Sequence, residues 1–283
     1  MSETYAPDLT QRFGAPPAFD GHTLAGAVDD DAALHRILLR RTHRHYAPQP
    51  VPEGLLTLLI AAALSASSKS DFQQASIIRV IDPAKRAALA ALIPAMPWIG
   101  TSPIFYVFCG DARRLERLCE LRGHPQGNGR LEGFFNAAVD AALVMQTFIL
   151  AAESMGLGVC PISVIRNHPE PVGEILGLPD KVFPVAGLCI GWPAGAGFVS
   201  MRLPPAVTVH VDRYDDADMP GLVDAYDRSR DARHSIPPDK QRSPQKFGAA
   251  AFYGWSEDKA RQAAEPEGGA FPVWLRKRGF TFD

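Results

Sequence analysis

Gly156-Leu157-Gly158-Val159-Cys160-Pro161-Ile162-Ser163-Val164-Ile165-Arg166-Asn167 joins the two elements that set the fold. The paired glycines end a helix, because glycine accepts the left-handed backbone a helix C-terminus needs. Val159 to Val164 then begins a strand. Upstream, Phe134 to Met155 carries Ala, Leu, Val, Met and Phe on most faces. It is too apolar for an exposed helix and is expected to be the central, buried helix of a core or a dimer interface. Downstream, a short helix is expected from about Pro171 to Leu176, and Pro184 to Gly191 reads as a buried strand ending at Trp192-Pro193.

Working outward, Asp30 or Asp31 can cap a helix through Leu34, Ile37 and Leu38. Pro48, Pro50 and Pro52 give an extended connector. Helices are expected from Glu53 to Ala66, Lys85 to Leu92 and Leu115 to Leu121. Ile77 to Ile81 reads as a strand stopped by Asp82-Pro83, and Ile104 to Cys109 as a buried central strand. Pro94, Pro97 and Pro103 frame an irregular loop around Trp98. Val207 to Val211 suggests a short strand. Strands do not alternate regularly with helices, so the class is α+β. Three regions are expected: a surface-hugging or poorly ordered arm over 1–29, a core over 30–212, and an extension over 213–283 that wraps the core or a partner subunit.

The 283 residues are 46% hydrophobic with a net charge of −2, which leaves no basic field to attract nucleic acid or an anionic membrane. Apolar stretches look too interrupted to span a bilayer. No secretory signal is apparent, and Cys109, Cys119, Cys160 and Cys189 form no CxxC pair, so a cytoplasmic protein with reduced thiols and no zinc site is expected. Neither G-x-G-x-x-G after a strand nor G-x-x-x-x-G-K-[ST] occurs.

Four segments stand out. Arg40-Arg41-Thr42-His43-Arg44-His45-Tyr46 crowds three arginines into seven residues. An anion with several oxygens, phosphate above all, would offset their repulsion, whereas a solvated helix end is the simpler account. Ser65 to Ser76 breaks a helix into hydroxyls and amides, either as an ordinary helix-to-strand loop or as a polar lip for a flat heteroaromatic ligand. The third is the opening stretch with Arg166. The fourth is Gly187-Leu188-Cys189-Ile190-Gly191-Trp192-Pro193 followed by Met201-Arg202-Leu203-Pro204.

In this order, these segments resemble the nitroreductase superfamily, closest to its NADPH-linked flavin reductase and oxygen-insensitive nitroreductase branch. The likeness runs from about Leu34 to Val211, with a weaker echo around Trp255 and Trp274. It implies a central mixed or antiparallel sheet flanked by helices around a long buried helix, in an intertwined homodimer. It also implies FMN as cofactor and NADPH, or NADH, as co-substrate. Reduction of nitroaromatics, quinones or similar flat small-molecule acceptors would then proceed by ping-pong hydride transfer through flavin N5. The alternatives are a flavin reductase supplying reduced FMN to a monooxygenase, or a flavin-binding protein of low turnover.

By the same resemblance, Arg40, Arg41, Thr42 and Arg44 hold phosphate and ribityl groups, and Ser68 and Gln73 contact the flavin. Pro161, Ile162 and Ser163 pass its N5 edge, Trp98 keeps an aromatic beside it, and Arg202 is a second phosphate ligand. No side chain is expected to act as nucleophile or general base. Arg166, Arg233 and Arg242, with Arg228, Arg230 and Lys246, are candidates for the extra phosphate of NADPH. The chain departs from the branch at Ser200, where lysine is usual, and at Met96 and Trp98. It also departs at Pro161 to Val164, where glycines usually let a flavin approach.

Overall fold

A computed structural model describes residues 6–14, 32–127 and 129–282 of the chain. Among them the helices are α1 (Ala6–Phe13), α2 (Ala32–Leu38), α3 (Glu53–Leu64), α4 (Pro83–Ala91), α5 (Trp98–Thr101), α6 (Arg113–Arg122) and α7 (Leu131–Ser154). They continue with α8 (Pro169–Leu176), α9 (Pro205–Thr208), α10 (Met219–Asp231), α11 (Pro244–Phe247), α12 (Trp255–Ala263) and α13 (Phe271–Lys277). The strands are β1 (Ala75–Arg79), β2 (Ile104–Asp111), β3 (Gly158–Ile162) and β4 (Val182–Gly191). Two compact units result: Met1–Arg40 with Phe198–Pro266, and Arg41–Gly197 with Glu267–Asp283.

The second unit holds the sheet, ordered β1-β2-β4-β3 and antiparallel throughout. β2 is apolar along nearly its whole length because both its faces are covered. Phe105, Val107 and Cys109 join Cys160, Ile162 and Cys189 in one cluster. Tyr106 and Phe108 alternate to the other side, where they meet Leu56, Leu59 and Ala63 of α3 and Ala141, Val144 and Phe148 of α7. Phe148 sits edge-on to Tyr106 with ring centres 5.5 Å apart. Asp82 does more than stop the strand: its carboxyl accepts from the Ala84 N–H at 2.8 Å and caps α4, with Pro83 in the first turn.

α7 is less enclosed than its composition suggests. Ala137, Ala141, Val144, Phe148 and Ala152 face the core. Leu131 (52% exposed), Phe135 (60%), Val139 (38%) and Leu143 (40%) form a stripe at four-residue spacing on the opposite side. Its 24 residues are also long and apolar enough to cross a bilayer, against the sequence expectation. Its inner face is nevertheless that of a core helix, packed on β2 and α3. Asp140, 2% exposed, is the polar exception. Its carboxyl oxygens accept from the Ser68 hydroxyl at 2.7 Å, the Lys69 N–H at 3.0 Å and the Gln74 N–H at 2.9 Å. One side chain of the long helix therefore shapes the polar loop between α3 and β1, where Ser70, Asp71 and Gln73 all adopt positive φ.

In the other unit, one expectation is corrected, the strand at Val207 to Val211. The N-terminal arm contains α1, and its Arg12, only 4% exposed, donates to the carbonyls of Leu38 (2.7 Å), Ser200 (2.7 Å) and Arg40 (2.5 Å). The rest of 1–29, and the Asp30 or Asp31 cap, lie outside the described residues. Val207 to Val211 is no strand: Pro204-Pro205 preset a helical φ, and α9 forms despite the β-branched residues. The extension after 212 is largely helical, α10 packing on α12. There the Asp227 carboxyl, 3% exposed, accepts from the Ser256 N–H at 3.1 Å.

Asp140→Ala leaves the buried Gln74 N–H and two part-buried donors, the Ser68 hydroxyl and the Lys69 N–H, facing an apolar side chain. It should cost about 3 kcal/mol and lower the melting temperature by roughly 6 °C or more in calorimetry. An unchanged transition would show that the Ser68–Gln74 loop does not depend on α7.

Candidate functional site

β3 is an edge strand, and the basic segment covers its open side. Thr42 bridges Val159 in parallel, and the His43 N–H donates to the Val159 carbonyl at 3.0 Å. Further along, Tyr46 bridges Pro193, the Ala47 N–H donates to the Trp192 carbonyl (2.8 Å) and the Ala194 N–H to the His45 carbonyl (3.0 Å). Tyr46 locks the arrangement by donating to the His43 carbonyl at 2.7 Å, with the Cys189 carbonyl 3.2 Å away. Burial pushes its phenol well above the ordinary range, with Cys189 and Cys160 adding to the effect, so it remains a donor. Gly158 makes the close approach possible: a Cβ there would stand 2.8 Å from His43 Cβ.

Since Val159 turns its carbonyl outward, alternation turns Pro161 outward too. Its missing N–H therefore removes no bond to β4, which is where an edge strand tolerates proline. Pro161 and Ser163 are exposed and Ile162 is buried beneath them. Arg44, also exposed, lies 5.4 Å over the Trp98 ring, whose buried Nε1 has no nitrogen or oxygen acceptor. Arg41 donates to the Ala196 carbonyl at 3.1 Å. Thus the segment from Arg41 to Arg44 runs along β3, Arg41 and Thr42 at its Gly158–Val159 end and Arg44 with Trp98 further along, toward Pro161, Ile162 and Ser163.

Ser68 and Gln73 occupy the loop held by Asp140. The Ser68 hydroxyl donates to Asp140 and accepts from the Gln73 N–H at 2.7 Å, and the Gln73 amide donates to Asp71 at 3.0 Å. Arg166 is half-buried and donates to the Val185 carbonyl; burial lowers its pKa, opposed by Glu267.

Arg40 and Arg202 belong to the other unit. There a cavity of about 530 Å³ is lined by Arg202, Arg230, Lys259, Ser200, Tyr226 and Trp255, among others. Desolvation, then the charges of Arg40 and Arg230, lower the Arg202 pKa, and Tyr226 opposes them. Such crowding of cations suits an anion. Arg233 is used elsewhere, donating to the carbonyls of Thr10 (3.0 Å) and Gly14 (3.2 Å) at the end of α1. Arg242 lies 3.5 Å from Asp258, Arg228 covers the Phe252 ring, and Lys246 pairs with Glu265 at 2.9 Å.

Residues 37–192 match the model of the Nitroreductase family. The chain belongs to the nitroreductase family. Its members include an oxygen-insensitive NADPH nitroreductase of Salmonella typhimurium, 40% identical over 63% of this chain and 72% of the relative. The NADPH-flavin oxidoreductase of Vibrio harveyi is 33% identical over 71% of this chain and 82% of its own. Among solved structures, B. megaterium NfrA2 superposes with a TM-score of 0.80 at 32% identity, covering 89% of this chain and 99% of the other. The Vibrio harveyi NADPH:FMN oxidoreductase complexed with NAD+ gives 0.76 at 29%, over 88% and 99%. This nitroreductase is accordingly an oxidoreductase.

Sequence reasoning missed Asp140, Gly158 and Tyr46. The signal for Asp140 was present, as a single carboxylate inside an otherwise apolar helix. That for Gly158 was not, because what crowds it comes from more than a hundred residues away.

Gly158→Ala should displace the basic segment from β3 and cost about 1–3 kcal/mol, read as a lower urea midpoint with an unchanged slope. A wild-type midpoint would mean that His43 moves aside freely.

Proposed function

We propose that this nitroreductase is an FMN-dependent NAD(P)H oxidoreductase reducing flat acceptors such as nitroaromatics and quinones. One observation carries the reading: a segment with Arg41, Thr42 and Arg44 laid along β3, beside the exposed Pro161 and Ser163. The donor set fits FMN. Two guanidinium groups and a hydroxyl suit a phosphate ester, and Trp98 offers a ring face and a buried N–H approached by the Cys160 sulfur but by no nitrogen or oxygen acceptor. Flavin reductases and NADPH-linked enzymes among the relatives support the same assignment.

Bound FMN would supply the two-electron chemistry. The protein's part is to bind and orient. Arg41 and Arg44 neutralise phosphate, and the outward-facing edge at Pro161 to Ser163 abuts the ring. The Asp140-held loop presents Gln73.

For the co-substrate, the cavity that brings Arg202, Arg230 and Lys259 to one concave surface suits the phosphate that distinguishes NADPH from NADH, with Arg230 also donating to the Tyr226 hydroxyl at 3.1 Å and Lys259 paired with Asp258 at 2.8 Å. A second copy of the chain would cover the Leu131–Leu143 stripe, supporting a homodimer.

The purified protein should be yellow, bleach with NADPH and regain colour with a nitroaromatic. A colourless protein that reduces added FMN would instead identify a flavin reductase, and a yellow one that NADPH does not bleach a flavin carrier. Arg230→Ala should raise KM for NADPH about tenfold to a hundredfold, leaving kcat and NADH kinetics near wild type. Equal losses with both nucleotides would remove Arg230 from phosphate recognition.

A further inference from the structure

Cys160 of β3 and Cys189 of β4 are directly opposed in the antiparallel register. With Val159 and Pro161 turned outward, Cys160 and Cys189 fall at a hydrogen-bonded pair. At such a pair, Cα atoms are about 5.5 Å apart and both side chains share one face. That separation lies inside the range of about 4.4–6.8 Å that a disulfide bridges. Both thiols are free and buried, at 2% and 0% exposure. Both sit in the apolar cluster on one face of the sheet, where a few polar groups reach them. Arg44 and the Trp98 indole bear on Cys160, while Ser102 and Arg86 bear on Cys189. Arg86 is itself a half-buried cation, donating to the Ser102 carbonyl at 2.9 Å. Access comes from the edge: Pro161, next in sequence, is exposed, and among the described residues the isolated bridges there are Thr42 to Val159 and Tyr46 to Pro193.

We propose that Cys160 and Cys189 form a redox-modifiable dithiol, closed to a cross-strand disulfide by a hydroperoxide. The Cys160 sulfur attacks the peroxide O–O bond. The thiol proton goes to the leaving oxygen, which departs as water when the oxidant is hydrogen peroxide, and Cys160 becomes a sulfenic acid. The Cys189 sulfur then attacks the Cys160 sulfur, the S–S bond forms, and the hydroxyl leaves as a second water with the Cys189 proton. Two thiols lose two electrons, and one peroxide is reduced to two waters. Drawing the Cys160 sulfur toward β4 takes it from Arg44 and Trp98. On the reading of Arg44 as a flavin ligand, closure therefore loosens the cofactor. Burial raises both thiols, Cys189 to about 12, so the thiolate fraction, and with it the rate, grows with pH through the neutral range.

The test treats the holoprotein with hydrogen peroxide, blocks remaining thiols and maps peptides without reduction. The expected result is a Cys160–Cys189 linked peptide that forms about tenfold faster per pH unit from about pH 7 to about pH 9, together with flavin release. In Cys189→Ser, dimedone should trap a sulfenic acid at Cys160 and no linked peptide should appear. Oxidation confined to the partly exposed Cys119, or higher oxides at Cys160 of the wild type without the link, overturns the proposal. A linked peptide with flavin fully retained leaves the dithiol standing and removes Arg44 from the flavin site.

Discussion

An edge strand presents unpaired N–H and C=O groups, and β3 is such an edge. The site depends on how that edge is covered. A segment dense in arginine takes the place of a fifth strand, anchored at Val159 and again at Trp192–Pro193. Its backbone pairs with the sheet edge and leaves the Arg44 guanidinium exposed over Trp98. Gly158 sets how close it comes, and Tyr46 sets its path. Without the sheet edge, the arginines would be scattered solvent charges.

The polar loop between α3 and β1 is governed by a different constraint. Three left-handed residues other than glycine are strained, and persist only where the surroundings over-determine them. Asp140 provides that determination by holding two backbone N–H groups and one hydroxyl. The Ser68 hydroxyl donates to Asp140 and accepts from the Gln73 N–H, so it helps hold the loop that carries Gln73.

Much of this was legible in the sequence. β2 and β4 announce themselves as continuous apolar runs, because both faces of a central strand are buried. The end of α7 is legible because Gly156 takes φ of +83°. α9 was misread since β-branched residues outweighed the prolines before them, although proline in a helix's first turn is favourable. The helix at Ala6–Phe13 had no periodic signal strong enough to find, and Arg12 is buried because three carbonyls elsewhere in the unit need a donor. The four cysteines looked unrelated along the chain, while the strand register sets two of them face to face. Non-local pairings of this kind leave no trace in spacing.

α7 is as apolar as a membrane span, which makes the order of synthesis matter. Its partners α3 and β2 precede it in the chain, so both have left the ribosome before Leu131 appears. A docking surface is thus waiting when the most aggregation-prone stretch emerges, and the strands that complete the sheet arrive afterwards. The same helix placed ahead of its partners would spend that interval as bare hydrocarbon, open to membrane-targeting factors or to self-association.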